Sequence, residues 1–217
     1  METRMKRIII IIAAIILPVI AYGQAKEFFI NGQDKRDLVT FTSHAPLETI
    51  EGKTSKVMGF LEVDPADIGS AKAKIAVDLA SIKTGIDMRD KHMRENHLET
   101  EKYPQAIFEL TDVKTGSHYN IADGQPIDIT LFGNFTVHGV TKPVEIKATV
   151  QYYGDDQSSP MKIPGEVIHI KAGFDVLLPD YEIKRPQFLV LKLDEKQEIM
   201  VDIWAATGLP KVEMSQR

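Results

Sequence analysis

Arg89, Asp90, His92, Arg94 and His97 crowd into one stretch of the chain, inside SIKTGIDMRDKHMRENHLETEKYPQAIFEL, residues 81–110. Side chains of these types can bind a metal, trade protons or hold an anion. A metal reading would use His92 and His97 with Glu95. On a helix, however, residues five apart point about 140° away from each other, whereas metal-binding pairs sit four apart on one face. An ion-paired, solvated helix fits these residues better. An acid–base reading needs two titratable groups at hydrogen-bond distance beside a cavity, a condition that spacing does not decide. His44, His118, His138 and His169 are scattered, with no sequence logic joining them.

Other motifs fail on closer reading. Gly52-Lys53-Thr54 resembles the end of a phosphate-binding loop, but the loop's first glycine would fall at Leu47, and a strand follows rather than a helix. No Gly-x-Ser-x-Gly elbow occurs, so a serine hydrolase has no nucleophile of that type. With no cysteine in the chain there is no thiolate to act as nucleophile or metal ligand. Asn134-Phe135-Thr136 matches a glycosylation acceptor but sits inside an expected strand.

The elements that must carry these residues are mostly strands. Alternation of apolar and polar residues is clear over Leu38–Ser43, then Lys56–Val63, then Lys72–Ser81, where Ala73, Ile75, Val77 and Leu79 share a face. Residues 24–37 are polar, with an Asn31-Gly32 turn signal. The charged stretch then reads as a short helix from Asp87 to about Leu98. Asp87 and Asp90 sit near its start, and Asp90 and Arg94 have the favourable order for a helical ion pair. Tyr103-Pro104 forces an extended backbone into a strand over Gln105–Val113. Ile127, Ile129, Leu131, Phe135 and Val137 share a face of the next strand, with Gly133 where a close approach is tolerated. His138 to Pro143 reads as a turn, Val144 to Val150 as the returning strand, and residues 154–165 as a loop. Val167–Val176 follows, and Phe188–Leu193 with Glu198–Trp204 forms a last pair.

About eight or nine antiparallel strands with one short helix predict an all-β fold, a closed barrel or a sandwich. Closure hides strand edges. An eight-stranded barrel is either filled by its own side chains or holds one small ligand, and periodicity does not choose between them. Phe41, Phe60, Ile75, Val77, Phe108, Leu131, Phe135, Ile170 and Phe174 are the residues expected to converge on the interior.

Composition narrows the function classes. The chain has 217 residues, 43% hydrophobic and 26% charged, and a formal net charge of −5, which suits one globular domain. METRMKR followed by the apolar run Ile8–Ile20 and then Ala21-Tyr22-Gly23 reads as a cleavable signal peptide over residues 1–23. The run falls short of the roughly 20 apolar residues a spanning helix needs. Cleavage removes Glu2, Arg4, Lys6 and Arg7, a net +2, so the mature charge becomes −7. Such an acidic protein is a poor partner for nucleic acid or an anionic membrane surface. The expectation is an exported, soluble, periplasmic or secreted protein without stable membrane insertion, held by its core without disulfides.

Four motifs occur together in order: Ser81-Ile82-Lys83-Thr84, then Arg89-Asp90-x-His92-Met93, then Tyr103-Pro104-x-Ala106-x-Phe108, then His138-Gly139-Val140-Thr141-Lys142-Pro143. In this the chain resembles the YceI-like family of exported lipid-binding proteins, roughly from Phe41 to Trp204. The resemblance implies a single lipocalin-like antiparallel β-barrel around an apolar tunnel, a polyisoprenoid ligand and no catalysis, cofactor or metal. It gives a layout of signal peptide 1–23, N-terminal extension 24–37, barrel domain 38–207 and C-terminal tail 208–217, and leaves a homodimer open. Phe41, Ile75, Val77, Phe108, Leu131, Phe135, Ile170 and Phe174 become tunnel candidates. Arg89 and His92 on the insert, with Lys184 and Arg185, become candidates for contacting a ligand head group. LLPDYEIKRPQFLVLKLDEKQEI departs from the family pattern and puts the mouth geometry in question. Two other readings stay open: an exported enzyme using the Arg/Asp/His-rich insert, and a structural module with a packed interior.

Overall fold

The computed structural model describes residues 24–32, 36–44, 48–116, 118–122, 124–155, 158–185 and 194–211. The expected signal peptide, the Pro46 break and the expected strand Phe188–Leu193 lie outside them. Among the described residues ten strands follow one another: β1 (Lys26–Ile30), β2 (Leu38–His44), β3 (Thr49–Thr54), β4 (Val57–Asp64), β5 (Asp67–Asp78), β6 (Gln105–Thr115), β7 (Ile127–Val137), β8 (Val140–Tyr153), β9 (Val167–Leu177) and β10 (Lys196–Ala206). All pairings are antiparallel. Strands β4 to β10 form a continuous wall, and β1 joins β4 to β10 to close an eight-stranded barrel.

Near one end β10 exchanges β1 for β2, which pairs in turn with β3. Strand β3 then meets the segment after β5 through reciprocal backbone bonds between Lys53 and Lys83 at 2.9 and 3.0 Å. The β2–β3 ribbon therefore widens the wall at this end.

Lys26–Ile30, expected within an N-terminal extension, form β1. Phe28 and Ile30 are wholly buried in the main core, and β1 is the strand that closes the ring. Its Phe28-Phe29-Ile30 run lacks clean alternation, because Phe28 and Ile30 turn inward while Phe29 lies beside Phe60 across the sheet. Strand β3 also escapes the apolar pattern, since its buried residues are Ile50, Gly52 and Thr54 and only the first carries a large apolar side chain. Phe60, expected inside, stands on the outer face. In β4 it is Val57, Leu61 and Val63 that are buried, and period 2 sends Phe60 the other way.

The charged stretch folds as expected into α1 (Asp87–His92), continued by one π-helical turn over Met93–His97. Its N-terminus is Ile86, without a side-chain cap, and Asp90 has other work. The expected turn over residues 138–143 shrinks to His138-Gly139, with φ of 54° and 77°, the left-handed pair that a two-residue hairpin requires. Thr141 to Pro143 already belong to β8.

Candidate functional site

The barrel interior holds a cavity of about 590 Å³, within the range of about 300–1,000 Å³ usual for small-molecule sites. A fully packed interior is thereby excluded. The wall is built by alternation: inward residues of each strand meet inward residues of its neighbours. Register places Ile75 beside Phe108, and Phe108 beside Phe135. On the other side Phe174 stands beside Ile199, and Ile199 beside Phe41. An edge-to-face contact between Phe135 and Phe174, with ring centroids 5.3 Å apart, joins the two rows into an aromatic girdle. Tyr181 packs edge-on against Phe135 from the mouth side.

Two glycines shape this girdle. A Cβ on Gly52 would collide with the Phe41 ring, and one on Gly133 with the Phe108 ring. Both rings therefore lie back into notches in the wall and leave the lumen open. Beyond the girdle the cavity runs toward Ile68, Val113, Ile121 and Ile203. That end is shut by the loop after β6, whose Ile121 N–H bonds to Pro65 O at 2.8 Å and whose Tyr119 O accepts from Ile68 N–H at 2.9 Å.

The eight residues expected inside, Phe41, Ile75, Val77, Phe108, Leu131, Phe135, Ile170 and Phe174, all line this cavity. Of the four head-group candidates, Arg89, His92 and Lys184 line the cavity, while Arg185 does not and lies 3.5 Å from Glu195. Sequence reading missed Ser43 and Gln197, inward neighbours on β2 and β10, and the apolar underside of the insert at Met93 and Leu98. The continued alternation of Val39, Phe41 and Ser43 was the available signal for Ser43.

The insert's charges are largely committed to holding the mouth. The Asp90 carboxylate is buried and accepts from Thr84 N–H at 2.8 Å and Thr84 Oγ1–H at 2.6 Å. Arg89 Nε donates to Thr84 Oγ1 at 2.8 Å, Nη2 donates to Thr84 O at 3.1 Å, and Nη1 lies 3.5 Å from Glu48. Burial works to raise the Asp90 pKa, but the Thr84 hydrogen bonds and the nearby Lys83 and Arg94 charges together outweigh it and hold the group below its ordinary value. His97 Nδ1 sits 2.8 Å from Lys184 O, and His138 Nδ1 3.1 Å from Tyr181 O. Both histidines thus pin the segment after β9 across the mouth. Among the described residues no group of three or more His, Asp or Glu is placed to hold a metal ion.

A profile of the YceI-like domain matches residues 33–205. The chain belongs to the YceI-like family. It is 31% identical over 162 residues to protein YceI of Escherichia coli, covering 74% of this chain and 78% of that protein. It is 34% identical over 136 residues to a UPF0312 protein of Pseudomonas aeruginosa, covering 62% of this chain and 66% of that protein, just under two thirds of its length. Among solved structures, a polyisoprenoid-binding domain from Saccharophagus degradans superposes with a TM-score of 0.59 at 15% identity, over 84% of this chain and 99% of that one. At that identity the likeness concerns the fold, and it agrees with the lipocalin-like barrel described above. YceI-family membership also covers the atypical segment after β9 up to residue 205, although residues 186–193 lie outside the described ones.

Proposed function

We propose that this YceI-family protein is a non-catalytic carrier for a long apolar lipid of the isoprenoid type, acting in the periplasm or outside the cell after removal of residues 1–23. One observation carries the reading: an apolar cavity of about 590 Å³ passes through the aromatic girdle and opens at a mouth bordered by polar side chains. The Saccharophagus relative, described as polyisoprenoid-binding, has the same fold and supports it. Each buried five-carbon unit would contribute on the order of 3–4 kcal/mol gross, at about 0.8 per methylene-sized group, before ordering costs. Hydrogen bonds at the mouth contribute about 1 kcal/mol each, or about 1.5–3 with a charged partner. Tail length therefore sets affinity, and the mouth selects the head group.

The commitment of Asp90 to Thr84 supports binding over acid–base catalysis, since its carboxylate holds a loop and does not line the cavity. The test is native mass spectrometry of protein purified without detergent, followed by organic extraction. A co-purifying lipid lost on extraction and regained on incubation with a long prenyl lipid is the expected result. Ala172 lines the cavity, so Ala172→Trp should block uptake while the folded β spectrum persists. Uptake unchanged in that variant would sink the reading.

A further inference from the structure

Ser43 and Gln197 stand in a predominantly apolar wall, and their polar atoms are left incomplete. They are cross-strand partners one residue in from the mouth ends of β2 and β10. Both line the cavity, and both are buried, Ser43 to 1% exposure. Ser43 Oγ makes no hydrogen bond among the described residues. The Gln197 amide is fixed by its surroundings: Nε2 donates to Asp194 O at 2.9 Å and to Lys196 O at 3.1 Å. Two carbonyl acceptors demand the NH₂ end of the amide there, which assigns Oε1 as the atom left over, an acceptor with no hydrogen bond among the described residues.

A hydroxyl shut away from water is costly unless something meets it. Val176, the other partner of Gln197, and Ile50, the other partner of Ser43, supply no polar group. Among the described residues no side chain meets them, and a molecule filling the cavity can. The next inward layer, about 7 Å along the strands, is Phe41 with Ile199, part of the aromatic girdle. The pair thus lies between the charged mouth and the girdle.

We infer that Ser43 and Gln197 form a receptor for a neutral hydroxyl at the head of the bound lipid, with the tail passing through the girdle toward Ile68 and Ile121. A ligand O–H can donate to Gln197 Oε1 and accept from Ser43 Oγ–H at once. A carbonyl or ether head can only accept, leaving Oε1 unmet. A phosphate or carboxylate head would bring negative charge against Oε1, so it would have to stay outside with Arg89 and Lys184. The inference rests on the lipid-carrier reading and adds the chemistry of the head and the direction of the tail.

The experiment measures affinity of delipidated protein for three probes of one chain length: geranylgeraniol, its methyl ether and geranylgeranyl diphosphate. Unfolding midpoints are recorded alongside to establish that each variant is folded. The wild-type protein should favour the alcohol over the ether about 5- to 10-fold, the size of one neutral hydrogen bond. Ser43→Ala should remove most of that preference by weakening the alcohol alone. Its ligand-free midpoint should equal or exceed that of wild type, because an unmet buried hydroxyl has been deleted. Equal binding of alcohol and ether, or a preference that survives Ser43→Ala, overturns the receptor while leaving the carrier reading intact. A diphosphate that binds tightest and is indifferent to Ser43→Ala overturns it too, by placing the head at the outer cations. If none of the three probes binds, the carrier reading fails and this inference fails with it.

Discussion

Gly52 shows how much one side chain can control here. The three atoms nearest a methyl at this position all belong to the Phe41 ring, so the ring must leave its notch and enter the lumen. Gly52→Ala is expected to cost about 1–3 kcal/mol by overpacking and to weaken lipid binding. In a Phe41→Ala background the same change should cost almost nothing, and a double-mutant cycle on urea midpoints measures that difference. Gly133 is a harsher site, because there Glu109 O as well as the Phe108 ring stands 2.5 Å from the added carbon. Asp90 offers a second residue-scale test. Asp90→Ala leaves the Thr84 N–H and O–H without their acceptor, at roughly 3 kcal/mol. Folding lowers the Asp90 pKa from its ordinary 3.8, so its stabilisation is complete well above that value and is lost as pH falls through the lower folded value. The wild-type and variant midpoints should therefore differ clearly at pH 7 and converge in strong acid. A gap that persists unchanged in strong acid would show that the charge is not what stabilises the loop.

At the scale of elements, β1 and the helical insert do opposite jobs. Strand β1 closes the ring, and Phe28 at its centre is fully buried. Phe28→Ala should cost about 3–5 kcal/mol, measured by denaturant unfolding, which a mere N-terminal extension would not show. The insert caps rather than closes. Met93 and Leu98 pack on the cluster around Leu79, Val137 and Tyr181, while Ile86 and Met88 stay exposed on its rim although they border the cavity. Its histidine contacts run to the segment after β9 rather than to a strand. An element held by a few polar contacts opens more readily than a barrel strand, so amides of residues 87–97 should exchange faster than those of β7 and β8 and slow on lipid binding. Hydrogen exchange with and without the bound lipid reads this directly.

For the whole molecule, binding and stability are one quantity. A ligand that occupies only the closed barrel stabilises it by about 2.7 kcal/mol at a hundredfold excess over Kd, so extraction of a co-purified lipid should lower the melting temperature and re-addition restore it. Because the cavity wall is predominantly apolar, affinity for an uncharged lipid should change less than about twofold between low and high salt. A steep salt dependence would mean that the mouth cations, not the tunnel, carry binding.

The sequence by itself determined the alternation of β2, β4 and β5 to β10, the helical insert and, through its four ordered motifs, the family. It also determined which residues of each of those strands share a face, because side-chain direction follows from a period of 2 that is local to each strand, but not which face lines the interior. Strand β1, strand β3 and the outward turn of Phe60 escaped it, since a barrel's closing strands are defined by what they pair with and not by their own apolar pattern. The charged insert invited a chemical reading, and spacing could not reveal that Asp90 turns inward to Thr84. Only the tertiary structure decided whether the barrel was filled or hollow. That depends on volumes summed around a closed ring, on Phe41 lying in the Gly52 notch and Phe108 in the Gly133 notch, and no stretch of sequence contains that sum. The same holds for Ser43 and Gln197: far apart in the chain, they become a pair only when β2 and β10 come into register.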